Sequence, residues 1–599
     1  MNTSSIYGAF NARWLSPEDV ARAFVPTNHY RSLVKFQHSL LMGPRGCGKT
    51  TLLKMLTRPA QTVWIRERVQ SSPELADYPC PDFEAIYVPS DIRWSYELDS
   101  VEAELKQAGI LPQLVQRAAV GISALMEATR TFQQILADGE KQPEPFLRAF
   151  IRHFQFGPTA PSFAEVRLRL LSWAEEIHSL LASQRTSELE ARINSLPPSL
   201  TGHAIDVLTR ACMLFEEYVD VIAPKKWALC FDEMEISPRW LQAELLSALR
   251  SFDQHFLLKL TWSPILPTDL IHHQERQHDY AVVRMWHAHA AEARPFAQQF
   301  STRVLRDRLS DSQVTPFDVF GVSPFAQDES LEEDIDPYGE GTAVWKSMVS
   351  LAAKDRSFRE YLAESGLDPD NPVTENPRIR DEVLRKVKPI VLLRDTYLRD
   401  RPGGASRRSR KGAPLYFGED AVYAMSEGNP RMLAGLLNEL LDAETRPNVA
   451  TGPRIRPEVQ SRVLLAASQR MLSGIKTYPV GPEVRSTSLV RLVDLLGDYL
   501  KAEFAGPTFK ADPVGSFMVD QDVPSDMLET IRIGLLIGAF VYVGSTLSDV
   551  PVSALGARIR LSHMLAPTYT LLFRNYREIR LSTALRISSS SQRSMFWAT

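Results

Sequence analysis

Cysteine is scarce in this chain. Only Cys47, Cys80, Cys212 and Cys230 occur among 599 residues, and none belongs to a C-x-x-C pair. That usage argues against a disulfide framework and a cysteine-based structural zinc, and it suits a reducing compartment. Long apolar runs are missing as well. The longest, Ile533 to Gly544, falls well short of the roughly 20 residues that span a bilayer, so it is expected to be buried core and no membrane partner is expected. Met1 to Phe10 lacks the apolar centre of a secretory signal, which makes a cytoplasmic location the expectation. Charge of one sign is not in excess: 68 Lys and Arg stand against 72 Asp and Glu, a formal net charge of −4. Any contact with nucleic acid therefore has to come from a local patch rather than a global polycation. There is no internal repeat.

What is present is concentrated in one short stretch, Gly43-Pro44-Arg45-Gly46-Cys47-Gly48-Lys49-Thr50, flanked by the apolar runs Leu40-Leu41-Met42 and Leu52-Leu53. It fits G-x-x-x-x-G-K-[ST], a strand–loop–helix device whose backbone N–H groups cradle phosphates. Gly43, Gly46 and Gly48 let the backbone curl closely around a pyrophosphate. Lys49 is expected to reach the β- and γ-phosphates, Thr50 to ligate Mg2+, and the expected first helix, Lys49 to Leu56, to point its positive end at the same anion. Residues 43–51 are therefore the expected nucleotide-binding set, with ATP and Mg2+ as cofactors.

A second strand is expected at Phe83–Val88 and a third at Trp227-Ala228-Leu229-Cys230-Phe231-Asp232-Glu233. A buried strand ending in two acids delivers both carboxylates to its C-terminal edge, where open α/β sheets bind ligands. Asp232 is expected to hold the metal opposite Thr50, and Glu233 to polarise the attacking water, with Glu235 as a rival base. The strand Phe256–Ser263 follows. Its tip offers Thr261 or Ser263 to hold the catalytic water or sense the γ-phosphate. Arg276 lies just ahead of the strand Tyr280–Trp286, a position from which an arginine can enter a neighbouring molecule's site. His272, His273, His278, His287 and His289 cluster here without metal-ligand spacing, so a metal site is not expected.

Between 97 and 221 the pattern turns helical, with segments near 97–107, 112–137, 144–154, 162–183 and 203–220. An insertion of this size serves partner contacts or simply packs on the core. Residues 401–412, Arg401-Pro402-Gly403-Gly404-Ala405-Ser406-Arg407-Arg408-Ser409-Arg410-Lys411-Gly412, form a flexible basic segment without an acid, suited to phosphate contact or to a solvated loop. Gly428-Asn429-Pro430-Arg431 opens a helix, and Arg431 is a candidate to reach back to the γ-phosphate from a lid. Beyond Pro453, helices are expected at 457–473, 486–504 and 525–538. Two short β-like runs follow, Phe540–Val543 and Arg558–Ser562, a pattern suited to a winged-helix module.

Taken together, the phosphate loop, the C-F-D-E strand, the polar strand tip, G-N-P-R and the winged-helix-like end resemble the origin-recognition-like branch of AAA+ ATPases, especially bacterial relatives encoded in mobile and phage-defence loci. Signal-transduction ATPases are similar too. The resemblance covers about 37–290 and 420–440, and the helical stretch at 97–221 departs from it. It implies the roles given to Lys49, Thr50, Asp232, Glu233 and Arg431. The expected fold is an α/β P-loop core of AAA+ type (1–96 and 222–310) with a helical insertion (97–221). A linker and lid region with the basic loop (311–455) and a winged-helix-like domain (456–599) complete it. The expected activity is that of an ATP-hydrolysing switch that assembles with copies of itself or with a separate effector, with anti-phage defence as one setting. The alternatives are a DNA-binding ATPase, contacting nucleic acid through 401–412 and the C-terminal domain, and a non-hydrolysing scaffold.

Overall fold

The structure, a computed structural model, describes residues 12–71, 78–91, 94, 112–137, 143–182, 188, 191, 195–219, 226–250, 255–267, 270, 280–325, 338–399, 407–408, 414–443, 454–478, 488–544 and 553–586. The chain divides into two compact units. One comprises Asn11–Gly43 and Gly48–Met285, and the other takes in Pro44–Cys47 and the chain from Trp286 onward.

In the first unit two short helices, α1 (Pro17–Ala23) and α2 (Asn28–Leu33), precede β1 (Ser39–Met42). Ser16 and Thr27 cap them by accepting hydrogen bonds from Asp19 N and Tyr30 N. Helices α3 (Lys49–Lys54) and α4 (Arg58–Ser71) lead to β2 (Glu84–Pro89). After the helical stretch come β3 (Trp227–Asp232), a helix (Arg239–Ala248), β4 (Phe256–Trp262) and β5 (Ala281–Arg284). The five strands pair in the order β2-β3-β4-β1-β5, and every pairing is parallel. A parallel sheet is covered on both faces, which explains why β1, β3 and β4 are buried along their whole length and read as nearly continuous apolar runs. One exception sits inside β4. The Lys259 side chain is fully buried, and its Nζ donates to the carbonyls of Lys35 (2.9 Å) and Gln37 (2.7 Å).

The helical stretch is built onto this sheet. Helix α5 (Pro112–Ala137) packs against β2, and the helices α6 (Glu144–His153), α7 (Phe163–Ala182) and α8 (Ala204–Tyr218) gather on it. The join is aromatic. Phe132 stacks on Phe215 with ring centroids 4.5 Å apart and meets Trp227, the first residue of β3, edge to face at 5.7 Å. The Trp227 indole also donates to Glu216 at 2.7 Å. The expected helices 112–137, 144–154, 162–183 and 203–220 agree with these four to within two residues at each end, while the helix expected at 97–107 lies outside the described residues.

The second unit begins with α9 (Ala290–Leu309) and contains α10 (Ala343–Lys354) and α11 (Lys386–Tyr397), then the pair α12 (Glu419–Ser426) and α13 (Pro430–Ala443). Helices α14 (Pro457–Thr477), α15 (Leu489–Ala505) and α16 (Ser525–Ile537) follow. A buried ion pair fastens α11: Arg394 donates to Asp355 Oδ2 through Nε at 2.9 Å and to the Phe504 carbonyl through Nη1 at 3.2 Å. Leu398–Arg399 (β6) pairs antiparallel with Arg407–Arg408 (β7), which places two arginines of the basic segment in a strand.

Near the C-terminus a four-stranded sheet has the order β11-β8-β10-β9, with β8 at Val514–Met518, β9 at Phe540–Tyr542, β10 at Arg558–Leu561 and β11 at Arg577–Arg580. The antiparallel pair β9–β10 matches the two expected runs to within one residue. Strands β8 and β11 do not follow from local pattern. Val514-Gly515-Ser516-Phe517-Met518 carries two small residues where alternation is needed, and Arg577-Glu578-Ile579-Arg580 is a charged edge strand. Gly515 is there for space, since a Cβ would lie 2.8 Å from the Tyr576 Cβ.

Candidate functional site

In a parallel sheet all strands end at one edge, and here that edge gathers the chemistry. Register places Leu41 beside Thr261 and Phe231 beside Leu260, so Asp232 and Thr261 end up side by side on β3 and β4. The phosphate loop leaves the same edge after Met42, where the Gly43 N–H donates to the Trp262 carbonyl at 3.0 Å. Gly46 and Gly48 have φ of 83° and 98°, the left-handed region where a side chain is strained. Gly48 is the N-cap of α3 and supplies no side-chain acceptor, so no side chain of the cap competes for the N–H groups of the first turn. Lys49 is buried, with Nζ 2.5 Å from the Gly43 carbonyl, folded back over its own loop. Thr50 and Thr51 sit half-buried in the first turn of α3.

Asp232 is 2% exposed, and neutral donors hold its carboxylate. Thr261 Oγ1 donates to Oδ1 at 2.6 Å, Tyr87 Oη donates to Oδ2 at 2.8 Å, and the Glu233 N–H lies 3.0 Å from Oδ1. Burial, with the Asp232 charge next in importance, pushes the Tyr87 phenol well above its ordinary range, so it stays a donor. The Thr261 hydroxyl both donates and accepts, because it also accepts from Glu233 N at 2.8 Å. It fixes the two acids relative to each other. Ser263, the other strand-tip candidate, donates to the Ile265 carbonyl at 2.7 Å and is likewise buried.

Glu233 stands in the left-handed region with φ 55° and ψ 47°, a conformation that costs a non-glycine residue about 1–3 kcal/mol and clusters at functional sites. Its carboxylate is partly exposed and meets Arg13 Nη1 at 2.9 Å. Glu235, on the turn Met234–Ile236, has a buried Oε2 without a hydrogen-bond partner among the described residues. At the end of α3, Lys54 is buried and donates to the carbonyls of Ala12 (2.7 Å) and Leu15 (2.7 Å). Burial lowers its pKa, and the charge of Asp232 partly offsets that.

The tip of the phosphate loop, Pro44–Cys47, packs within the second unit. Asn429 caps α13 by accepting from Arg431 N (3.1 Å) and Met432 N (3.2 Å), and its Nδ2 donates to the Arg45 carbonyl at 2.9 Å. Pro430 takes the first helical position, where its missing N–H costs nothing. G-N-P-R is thus a helix start that also grips the loop. A Cβ on Gly46 would lie 2.9 Å from both Arg431 Cβ and Asn429 Oδ1, a second reason for glycine there. The Arg45 N–H donates to the Leu536 carbonyl at 2.7 Å. Arg431 itself is exposed. Arg276 lies outside the described residues, as does the basic segment apart from Arg407 and Arg408.

Arg13, Lys54, Tyr87 and Ser90 were not anticipated from the sequence. Only Lys54 carried a signal, as an unexpected cation on the buried side of the helix after the phosphate loop.

This geometry defines a P-loop α/β protein: a phosphate loop and an acidic strand separated by one strand in a five-stranded parallel sheet. The chain belongs to the ORC-CDC6-like family, whose model matches residues 5–581. No curated protein matches it in sequence. Among the described residues, no helix is long and apolar enough to cross a membrane.

Proposed function

We propose that the chain binds ATP with Mg2+ and hydrolyses it, as a molecular switch acting on a partner protein. The observation that carries this reading is Asp232, a buried carboxylate held by neutral donors at the sheet edge from which the phosphate loop departs. The residues fit both cofactors. The backbone of Gly46–Thr50 and the Lys49 ammonium suit the β- and γ-phosphates, and Thr50 with Asp232 offers the oxygen donors Mg2+ prefers. When bound, the ion supplies charge neutralisation on the phosphate oxygens. Lys49 exchanges the Gly43 carbonyl for phosphate. Glu233 accepts a proton from the attacking water, and Thr261 holds Glu233 and Asp232 in register. Arg431, at the start of α13, reads the γ-phosphate from the lid, and Arg276 acts in trans in an assembly of copies.

A partner effector is favoured by the sequence, which carries no second set of catalytic residues. One observation favours a DNA-binding ATPase as the second reading. Strands β8, β10 and β9 form an antiparallel sheet in that order with α16 between β8 and β9, an arrangement suited to a winged helix. Turnover measured alongside calorimetric ATP binding tests the first reading. Glu233→Gln should retain ATP affinity and lose more than tenfold in rate, about 1.4 kcal/mol of barrier, whereas parental turnover in this variant would remove Glu233 as the base.

A further inference from the structure

We propose that the cavity between the end of β2 and helix α5 is a binding site for a nucleoside, separate from the phosphate loop. The inference does not depend on the reading of Glu233 as the base.

The cavity holds about 500 Å³, within the range of sites that take a small organic ligand. On one side its wall is Lys54, Thr57, Tyr87 and Pro89, from the end of α3 and of β2. The other side is α5, which contributes Ser123, Met126, Glu127, Arg130, Thr131 and Gln134. These positions recur every three or four residues, so they form one stripe along the helix. Apart from Met126 the stripe is polar, whereas Ala124, Leu125, Ala128, Phe132 and Ile135 of the same helix are buried. A helix that only packed on the sheet would line that side with apolar residues. Glu127 lies toward the sheet: its side chain is 21% exposed, and its charge acts on Lys54 across the cavity.

The stripe has hydrogen-bonding capacity to spare. Glu127 Oε1 accepts from Arg130 Nη1 at 2.5 Å. Glu127 Oε2 and the Nε and Nη2 groups of Arg130 have no hydrogen-bond partner among the described residues. Burial raises the Glu127 pKa, and the charges of Arg130 and Lys54 offset this only in part, so an N–H brought to Oε2 by a ligand is favoured. An acceptor beside donors complements the adjoining donor and acceptor on a nucleobase edge, such as adenine N6–H and N7. Trp94, Met126, Pro59 and Pro89 add the apolar wall that suits the faces of the same ring. A zwitterionic amino acid would match the two charges but leave that apolar wall unused.

The cations on the opposite side point to a nucleoside rather than a nucleotide. Lys54 Nζ already donates to the carbonyls of Ala12, Arg13 and Leu15, and Arg13 is engaged by Glu233 and the Ser90 carbonyl. Neither is available for a phosphate. The site is also set apart in the sheet, since β3 and β4 lie between β2 and the strand from which the phosphate loop departs.

The test is a ligand-observed NMR titration of the full chain with adenosine, guanosine, cytidine and uridine, each with and without saturating ATP. At least one nucleoside should bind with a Kd on the order of 0.1 mM, as expected for a ligand of this size, and ATP should not displace it. Glu127→Gln should weaken that binding at least about fivefold with the thermal midpoint retained. Should Glu127→Gln fail to fold, Arg130→Gln, at an exposed position, carries the test with the same expected loss. Binding that ATP displaces, or that is unchanged in the folded variant, overturns the proposal. So does the absence of binding by all four nucleosides at millimolar concentration. A chain that binds nucleoside but not ATP would count against the proposed function alone and leave this site standing.

Discussion

Two buried carboxylates, one in each unit, show how differently the molecule treats the same group. Asp232, at the end of β3, receives a hydroxyl, a phenol and a backbone N–H, and no cation bonds to it among the described residues. Glu427, at the end of α12, accepts from Arg560 Nη1 at 2.5 Å, Ser562 Oγ at 2.9 Å and His563 N at 2.9 Å. Each carboxylate accepts three hydrogen bonds, but only Glu427 is paired with a cation. It joins the turn before Gly428-Asn429-Pro430-Arg431 to β10, with the two side chains 10% and 3% exposed. Burial, and then the charge of Arg560, drive the neighbouring His563 well below its ordinary pKa. On the proposed reading, the difference separates a structural acid from a metal-binding one. A carboxylate fixed by neutral donors is held in position without a counter-charge, which suits a metal ion. One paired with a buried guanidinium has its charge already answered.

The comparison breaks most readily at Glu427. Glu427→Gln leaves the Arg560 guanidinium buried opposite a neutral amide. It should cost about 3–5 kcal/mol, the penalty for removing one member of a buried pair, read as a lowered midpoint in denaturant. A loss under about 1 kcal/mol would show that the pair is not the tie described.

A smaller effect concerns Lys259, a buried cation of the first unit that donates to two carbonyls and a hydroxyl. Burial lowers its pKa to about 7. Because the folded value lies below that of the unfolded chain, the unfolded state binds more protons between about pH 7 and 10. Stability should therefore rise with pH across that window, by at most about 1.4 kcal/mol per pH unit. Lys259→Met should flatten that part of the profile, as followed by thermal midpoints from pH 6.5 to 10. Identical slopes in parent and variant would contradict the burial argument.

Local features were legible in the sequence and distant ones were not. The phosphate loop, the apolar strand ending at Asp232 and the helix opened by Asn429-Pro430 are each set by residues within a few positions of one another, so spacing alone places them. Arg13 meets Glu233 across 220 positions, and Tyr87 meets Asp232 across 145. No periodicity encodes such pairs. They arise because parallel pairing sets β2 beside β3 and because Lys54 draws the N-terminal turn onto α3. The helices of 112–218 were legible from their amphipathic period, but their attachment to β2 and Trp227 was not. The aromatic residues that make that join look like any core residues until the sheet exists.

The most direct test of the account is the Mg2+-dependent ATP turnover of Asp232→Asn. The amide can still accept from Thr261, so the sheet edge and the thermal midpoint should be retained while the charge is lost. The account predicts a fall in kcat of at least about a hundredfold at saturating Mg2+, about 2.7 kcal/mol. A folded Asp232→Asn protein that turns over ATP within about twofold of the parent would contradict the assignment of Asp232 to the metal, and with it the functional distinction between the two buried carboxylates.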